Sequence, residues 1–340
     1  MRVVVGVVIA GVSVLAVGGY WMMRPGSAGS APQTMAQAPA PEKLAPAKAA
    51  AAKPALPEIE TTAAIPAPAP APTTGLAACA NPNALGISRV VEVDTTGGPG
   101  FGFEHFKQLD FLADKEVVLT FDDGPWPVNT PAVLKALADE CTTGIFFAIG
   151  KHATYHPEIL RQVFAAGHTV GSHTWSHVNL NKKSMTEQQQ KDEIEKGISA
   201  VRWALGTAPA PFFRFPQLQH APAMVTYLGN RNISMFSTDL DSFDFRADKP
   251  EQIVDNVMTK LDKLRKGIVL MHDFQKHTGE ALPVLLARLK AGGYKVVQMK
   301  ARTPVTTLAQ YDETFLKDTT KLPTVSSRPL ASVVQTISAK

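Results

Sequence analysis

The chain has 340 residues, of which 45% are hydrophobic, and a formal net charge of +4 at pH 7. This length is sufficient for one large or two ordinary globular domains. Basic and acidic residues are mixed along the globular part of the chain, so the charge pattern excludes a nucleic-acid-binding footprint.

An uncharged apolar run occupies residues 3–22 and is preceded by the single cation Arg2. At about 1.5 Å per residue, a helix of this length would cross a bilayer. We predict that residues 1–24 form a signal anchor that holds the protein on the inner membrane, facing the periplasm. The alternative is a cleaved signal peptide and a periplasmic or secreted product. The nearest Ala-x-Ala pattern, Ala36 to Ala38, lies well downstream and favours the anchor.

The composition changes twice after this run. Residues 25–75 are rich in proline and alanine and contain few large apolar side chains. They cannot bury enough surface to offset chain entropy, so we predict an extended, disordered linker. Residues 76–302 are globular in composition and suit one barrel-sized domain, and residues 303–340 form a polar C-terminal tail.

The chain contains two cysteines, Cys79 and Cys141. Export to an oxidising compartment would allow them to form a disulfide. This bond would tie the start of the globular domain to the end of its first helix. No spacing motif supports the pairing, so two buried thiols are the alternative.

Seven short apolar runs alternate with amphipathic segments in the globular part. The runs are residues 116–121, 144–149, 168–172, 211–215, 233–237, 267–271 and 294–298, and the main amphipathic segments are 130–140, 157–166, 186–205, 250–266 and 279–291. This alternation predicts an α/β domain with a parallel sheet. Periodicity alone does not decide between a closed barrel and an open sheet. In both, chemistry is expected in the loops after the carboxyl ends of the strands.

Charged and imidazole side chains follow five of these runs at their carboxyl ends. They are Asp122 and Asp123 after the first run, His173 and His177 after the third, Arg214 at the end of the fourth, Asp241 and Asp244 after the fifth, and His272 after the sixth. A His-x-x-x-His pair by itself is usually a solvated helical face. Because the carboxyl ends of parallel strands share one edge of the sheet, the whole set predicts a convergent active site. Other histidines, such as His152 and His220, have no motif support and are expected to be structural.

The spacing of these residues resembles the motifs of the polysaccharide deacetylases, the NodB-homology group of carbohydrate esterases. The matching segments are TFDDGP (120–125), HTWSH (173–177), RFP (214–216), DSFDF (241–245) and LMH (270–272). The resemblance extends from about residue 110 to 300 and implies a distorted (β/α) barrel of about seven parallel strands. It also implies metal-dependent hydrolysis of N-acetyl groups from glycans that contain N-acetylglucosamine, such as chitooligosaccharides, peptidoglycan or an exopolysaccharide.

Two imidazoles and one carboxylate, with open positions for water, are the ligands of a catalytic zinc site. His173 and His177, one helical turn apart, would face one ion, and Asp123 would supply the third ligand. The predicted cofactor is Zn²⁺, with Co²⁺ or Ni²⁺ as alternatives. Asp122 is then free to act as the general base beside the metal-bound water.

The departing amine requires a proton donor, and His272 is the candidate acid. A carboxylate of the fourth motif would hold it charged and oriented. Asp244 is favoured for this role over Asp241. The resemblance also implies that Arg214 orients Asp122 through a charge-assisted hydrogen bond.

Three positions depart from the family pattern. Gln217 and Leu218 stand where an aromatic residue and a glycine are usual, and Phe245 stands where tryptophan is usual. A backbone N–H near Gln217 can still bind an oxyanion, so we expect an altered sugar site and retained catalysis. Trp126 and Trp175 lie inside the motifs and are candidate platforms for sugar stacking, together with Phe245.

Other classes of protein stay open at this stage. A site of two histidines and one carboxylate also binds non-haem iron in oxygenases, although usually in all-β proteins. An O-acetyl esterase, or an envelope module that binds glycan without cleaving it, would keep the same fold. The predicted partners are a glycan and, through the N-terminal segment, the membrane.

Overall fold

The computed structural model describes residue 79 and residues 81–107 and 109–313. The predicted signal anchor (1–24), the predicted linker (25–75) and the part of the tail beyond residue 313 lie outside the described residues. None of the helices in the described part of the chain is both long and apolar enough to span a membrane.

Ten β-strands occur within the described residues. They are β1 (Arg89–Val93), β2 (Gly100–Phe101), β3 (Glu116–Asp122), β4 (Ile145–Ala148), β5 (Thr169–Ser172), β6 (Phe212–Arg214), β7 (Ser234–Phe236), β8 (Leu240–Asp241), β9 (Gly267–His272) and β10 (Lys295–Ala301). All seven predicted strands are among them. Strand β1 is largely exposed, and β2 and β8 have two residues each, so none of these three produces a detectable apolar run.

Seven α-helices connect the strands in the described part. They are α1 (Asn129–Asp139), α2 (Gly150–Tyr155), α3 (Pro157–Ala165), α4 (Glu187–Leu205), α5 (Pro222–Asn230), α6 (Pro250–Leu264) and α7 (Lys276–Ala291). The five predicted helical segments correspond to α1, α3, α4, α6 and α7. Local sequence sets several ends: Thr186 and Gln189 form a capping box at the start of α4, and Gly206 ends it in the left-handed conformation.

The strands form a parallel sheet that curls around β3. Thr120 of β3 pairs with Ile145 of β4 and also with Leu270 of β9, so β4 and β9 flank β3. The sheet continues from β4 through β5 and β6 to β7, and from β9 to β8. Only residues 237–239 separate β7 from β8 in the sequence. The parallel sheet therefore curls back towards β8, and this α/β fold is compatible with the predicted distorted (β/α) barrel.

Side chains of β3 alternate between two hydrophobic clusters. Val117, Leu119 and Phe121 pack against the surrounding helices, whereas Val118 packs with side chains of the barrel interior such as Phe147. Successive strand residues point to opposite faces, so Asp122 lies on the same face as Val118. The alternation therefore directs Asp122 towards the mouth of the barrel.

A disulfide joins Cys79 to Cys141, two residues after α1 ends, across a sequence separation of 62. It ties the start of the described domain to the first helix, so the predicted pairing is confirmed. Disulfides persist in oxidising compartments, and the bond indicates a location outside the cytoplasm.

We expect replacement of both Cys79 and Cys141 by serine to lower the free energy of unfolding by about 4 kcal/mol. The crosslink restricts a long loop in the unfolded chain, and the loss of this restriction favours unfolding. Urea unfolding of the oxidised wild type and the double variant measures the difference. The single variant Cys79→Ser should be destabilised as much, since it breaks the same bond. Two free thiols in oxidised, denatured wild-type protein would contradict the assignment.

Candidate active site

Side chains from several strands meet at the carboxyl edge of the sheet. Asp122, the last residue of β3, is opposite Phe147 of β4 and His272 of β9. His173 directly follows β5, and Arg214 ends β6. Residues that are about 150 positions apart in the sequence are therefore neighbours in the fold.

Asp123, His173 and His177 form a compact group of potential metal ligands. Asp123 Oδ1 lies 3.6 Å from His173 Nε2 and 3.4 Å from His177 Nε2. One ligand atom from each of the three residues lies within 4.8 Å of the others. The structure thus brings together the three residues that the sequence predicts as ligands.

The hydrogen bonds of His173 orient it as a ligand. Its Nδ1–H donates to the backbone carbonyl of Arg214 at 2.7 Å, which leaves Nε2 with a lone pair directed at Asp123. Burial, together with repulsion from His177, lowers the pKa of His173 to about 3. The imidazole is therefore neutral over the physiological range, as a metal ligand must be.

His177 reaches the group through a tight turn. The sequence-based expectation of one helical turn between His173 and His177 is wrong. Thr174 and His177 have φ angles of 67° and 58°, and the His177 N–H donates to the Thr174 hydroxyl at 3.0 Å. This turn directs both imidazoles to the same side of the chain without a helix.

The chemistry of this group fits a divalent cation. Asp123 Oδ1 is buried, and no hydrogen-bond donor is recorded for it among the described residues. A buried carboxylate oxygen without a partner is costly, and a cation would remove that cost. A carboxylate oxygen and two imidazole nitrogens are ligands that Zn²⁺ and its neighbours prefer. The residue types and their spacing therefore fit a divalent metal ion.

Asp122 is held by a fully buried arginine. Arg214 Nη1 donates to Asp122 Oδ1 at 2.7 Å and to the Thr120 hydroxyl at 2.8 Å, and its Nη2 donates to the carbonyl of Ser237 at 2.9 Å. Burial raises the pKa of Asp122, and the Arg214 charge opposes that rise. The other oxygen, Asp122 Oδ2, lies 3.8 Å from His173 Nε2 and faces the metal ligands.

His272 is held by Asp244. Its Nδ1 lies 2.7 Å from Asp244 Oδ1, and its backbone N–H donates to Asp244 Oδ2 at 2.6 Å. Thr278 donates its hydroxyl to the same Oδ2. Burial lowers the pKa of His272, but attraction to Asp244, together with the charges of Asp123 and Asp122, outweighs it and raises the pKa to about 10.

Asp241 occupies a different position from Asp244. Its Oδ1 accepts the backbone N–H of Phe243 at 2.8 Å, and its side chain lines the site cavity. Burial raises its pKa. Of the two aspartates in the fourth motif, Asp244 is therefore the one in contact with His272.

A cavity of about 330 Å³ lies over these groups. It is lined by Asp122, His173, His177, Phe215, Gln217, Leu218, Asp241, Phe245, Arg246, Leu270 and His272. Asn179 donates to the Gln217 side-chain oxygen at 3.0 Å, and Gln217 has a φ of 57°. The predicted substrate-binding residues Gln217 and Phe245 thus border the same cavity as Asp122 and His272.

The two predicted tryptophan platforms lie outside this cavity lining. Trp126 packs against His152 and Phe274, with ring centroids 5.0 and 5.2 Å away. Trp175 has the Lys196 ammonium 4.5 Å from its ring centroid. Sugar stacking on these rings stays a prediction that would require a substrate extending beyond the cavity.

Two side chains outside the sequence motifs, those of His152 and Asp273, form hydrogen bonds with the backbone of the loop that contains Asp123. His152 Nδ1–H donates to the Asp123 carbonyl at 2.6 Å. Asp273 Oδ1 accepts the Gly124 N–H at 3.1 Å, and its Oδ2 accepts the Thr130 hydroxyl. His152 was assigned a structural role from the sequence, and Asp273 is marked only by its position next to His272. These contacts support Asp123, whose φ of 75° is unusual for a residue other than glycine.

Known proteins are similar to this chain in sequence and in fold. A family profile described as polysaccharide deacetylase matches residues 112–235. The chain is 32% identical over 176 residues to a chitooligosaccharide deacetylase of Sinorhizobium fredii, covering 49% of this chain and 80% of that protein. It is 28% identical over 188 residues to a peptidoglycan-N-acetylglucosamine deacetylase of Bacillus cereus, covering 54% of this chain and 66% of that protein.

A solved structure supports the same relationship. A peptidoglycan deacetylase of Bdellovibrio bacteriovorus superimposes with a TM-score of 0.57 at 33% sequence identity, covering 64% of this chain and 59% of that chain. Fold, sequence identity and site geometry agree. This chain belongs to the polysaccharide deacetylase family.

Proposed function

We propose that this protein hydrolyses N-acetyl groups of glycans that contain N-acetylglucosamine. The observation that carries the proposal is the placement of two differently supported groups at one cavity. Asp122, paired with Arg214, and His272, paired with Asp244, both line the cavity beside the Asp123–His173–His177 group. Amide hydrolysis requires a base, an acid and an electrophile within one substrate length, and this arrangement supplies them.

Asp122 has the geometry of the general base. Arg214 occupies Oδ1, so Oδ2 is the oxygen that can accept a proton from the attacking water. The buried Arg214 guanidinium lies 4.4 Å from the centroid of the Phe147 ring and cannot turn away without losing its other hydrogen bonds. The base is therefore fixed in orientation before substrate binds.

His272 has the geometry of the general acid. The Asp244 contact occupies Nδ1 and leaves the Nε2 proton for the departing amine nitrogen. Its pKa of about 10 keeps the imidazole protonated at neutral pH. The proton taken by Asp122 and the proton given by His272 together convert the amide and water to acetate and amine. A backbone N–H near Gln217 as oxyanion donor stays a prediction.

We propose zinc as the cofactor at Asp123, His173 and His177. When bound, such an ion lowers the pKa of its water and polarises the substrate carbonyl. The two-imidazole, one-carboxylate set supports zinc, although cobalt or nickel would accept the same ligands. Metal analysis of protein purified without added metal tests this assignment, and stoichiometric iron in place of zinc would overturn it.

The proposed activity is tested by measuring acetate release from a panel of glycans. Chitotetraose, peptidoglycan and poly-N-acetylglucosamine carry N-acetyl groups, and an O-acetylated xylan provides the ester comparison. We expect acetate from at least one of the first three and little from the fourth. Release from the ester alone would favour an O-acetyl esterase. Binding to a glycan without any acetate release would favour a non-catalytic module.

We further propose that residues 1–24 anchor the protein in the membrane and that residues 25–75 tether a catalytic domain of residues 76–302 outside the cytoplasm. The uncharged run at residues 3–22 and the Cys79–Cys141 disulfide support this arrangement. Fractionation of cells that express the full chain tests it. Recovery in the soluble extracellular fraction would instead indicate a cleaved signal peptide.

We expect a fragment beginning at residue 76 to be soluble and to retain the acetate-release activity of the full chain within about twofold. Residues from Leu85 onward build three hydrophobic clusters, so the fragment contains the core that these clusters form. Circular dichroism and kcat/KM of the fragment provide the measurement. Aggregation or an inactive fragment would show that the domain boundary is wrong.

A further inference from the structure

Arg246 is a cation at the edge of the site cavity. It ends the short 3-10 helix Asp244–Arg246 and lines the cavity with Asp122 and His272. Its side chain is exposed to solvent, and no step of the proposed deacetylation uses it. A guanidinium at this position can contact the part of the substrate that lies next to the reacting acetamido group.

No carboxylate in the described part of the chain forms an ion pair with Arg246, although two aspartates lie on the same loop. Asp244 is occupied by His272, and Asp241 Oδ1 accepts the backbone N–H of Phe243. The hydrogen bond recorded for Arg246 is made by its backbone N–H to the Phe243 carbonyl. The guanidinium therefore keeps its own donors available to a ligand.

Arginines elsewhere on the surface show the contrast. Arg265 forms two hydrogen bonds with Asp114, each of 2.6 Å. Arg302 lies 2.9 Å from Asp94. Unlike these two arginines, Arg246 at the cavity edge has no carboxylate partner among the described residues.

Two aromatic rings hold the Arg246 guanidinium near the site. Its central carbon lies 5.1 Å from the ring centroid of Phe245 and 5.7 Å from that of Phe243, within the range of cation–π attraction. The Phe245 ring in turn contacts His272 edge-on, with centroids 5.6 Å apart, and is 46% exposed. The exposed Phe245 ring therefore contacts both His272, the proposed acid, and the Arg246 guanidinium.

The charged residues that line the cavity indicate which chemical group Arg246 can bind. Deep in the cavity, the carboxylates of Asp122 and Asp241 lie beside the protonated His272 and the proposed metal ligands. At the edge, Arg246 is a cation with no carboxylate partner among the described residues, so this edge favours an anionic group. The planar guanidinium fork matches a carboxylate with two parallel hydrogen bonds. A neutral acetamido sugar offers no such partner.

We propose that Arg246 binds a carboxylate carried by the glycan on the sugar next to the one that loses its acetyl group. This inference rests on the proposed deacetylase function and narrows its substrate class to acidic acetamido glycans. An example is an N-acetylglucosamine oligomer in which alternate sugars bear a 3-O-lactyl carboxylate. The selectivity arises from one charge-assisted contact outside the reacting centre.

The experiment compares three tetrasaccharides with the full-length protein. One carries free lactyl carboxylates on alternate sugars, the second carries the same groups as neutral methyl amides, and the third is chitotetraose. Acetate release gives kcat/KM for each, and calorimetry with the base-deficient variant Asp122→Asn gives Kd without turnover. We expect the acid to exceed the amide by about tenfold in kcat/KM and in binding.

The variant Arg246→Gln should reduce the acid-to-amide ratio to about one, and Arg246→Lys should retain an intermediate ratio because it keeps charge without the fork. Arg265→Gln is the matched control. Arg265 precedes β9 at the end opposite His272, so this variant should keep the wild-type ratio.

Equal values for acid and amide in the wild type would overturn the inference, as would an unchanged ratio in Arg246→Gln. Absence of acetate from all three compounds would count against the deacetylase function, while the binding ratio would still decide the role of Arg246. If Arg265→Gln also lowers the acid-to-amide ratio, the selectivity arises from the overall charge of the protein, and the inference about Arg246 is overturned.

Discussion

Replacing Asp122 by asparagine should lower kcat by at least about 10²-fold while the protein keeps its metal. Asparagine retains the shape of the side chain and can still accept a hydrogen bond from Arg214, but it cannot take a proton from water. Replacing Asp123 by alanine should remove metal and activity together, since Asp123 is the one carboxylate in the proposed ligand group. Metal stoichiometry and acetate release, measured on the same preparations, separate the two roles.

His272→Ala provides the control for this pair of variants. It removes the proposed acid without touching the ligand group, so it should resemble Asp122→Asn with retained metal and reduced turnover. Loss of metal from Asp122→Asn, with retention by Asp123→Ala, would reverse the two assignments. Full activity in both aspartate variants would contradict the proposed deacetylase mechanism altogether.

Replacing Asp244 by asparagine should move the alkaline limb of the kcat/KM–pH profile to lower pH by at least about one unit. Asp244 is the leading contributor to the high pKa of His272, which lies near 10 in the folded protein against an ordinary value of 6.5. A raised pKa keeps the acid protonated until the pH approaches 10. Without the carboxylate, the proton is lost earlier as pH rises, and activity falls with it.

The contact between Asp244 and His272 also stabilises the folded protein, and this stabilisation depends on pH. Because the folded pKa of His272 exceeds the unfolded value, the stabilisation is fully present below about pH 6.5 and is lost as pH rises towards 10. Asp244→Asn should therefore reduce the change in the free energy of unfolding between about pH 6.5 and pH 10. Urea unfolding at pH 6 and pH 9 measures the change.

Asp241→Asn is the matched control for both measurements. Asp241 lies on the same loop but contacts the backbone of Phe243, and His272 is bound by Asp244. This variant should shift the alkaline limb much less than Asp244→Asn. An equal shift in the two variants would show that general loop charge, and not the direct contact, sets the pKa of His272.

Much of the fold could be predicted from the sequence because its causes are local. Apolar runs such as residues 116–121 and 267–271 are continuous, as is typical of strands that are buried on both faces. The Thr186 capping box and the prolines that begin several helices are also local signals. The metal ligands could be predicted because parallel strands place their carboxyl ends on one edge, whatever the details of the barrel.

The choice between Asp241 and Asp244 required the tertiary structure. Both aspartates follow the apolar run 233–237 in the sequence, so spacing alone favours Asp244 only weakly. The decision depends on which carboxylate can reach Nδ1 and the backbone N–H of His272 at once, and the turn after β8 gives that reach to Asp244. A periodic pattern contains no information about a turn of this kind.

The sequence by itself determined the β/α alternation, the motif residues and the convergence of Asp122, Asp123, His173, His177 and His272, because strand direction and side-chain chemistry suffice for these. The tertiary structure decided the order of the strands in the sheet and the turn that presents His177. It also decided the support of Asp123 by His152 and Asp273, and it left Arg246 without a carboxylate partner in the described part of the chain. Each of these depends on contacts between segments far apart in the chain, whose distances and angles no local pattern specifies.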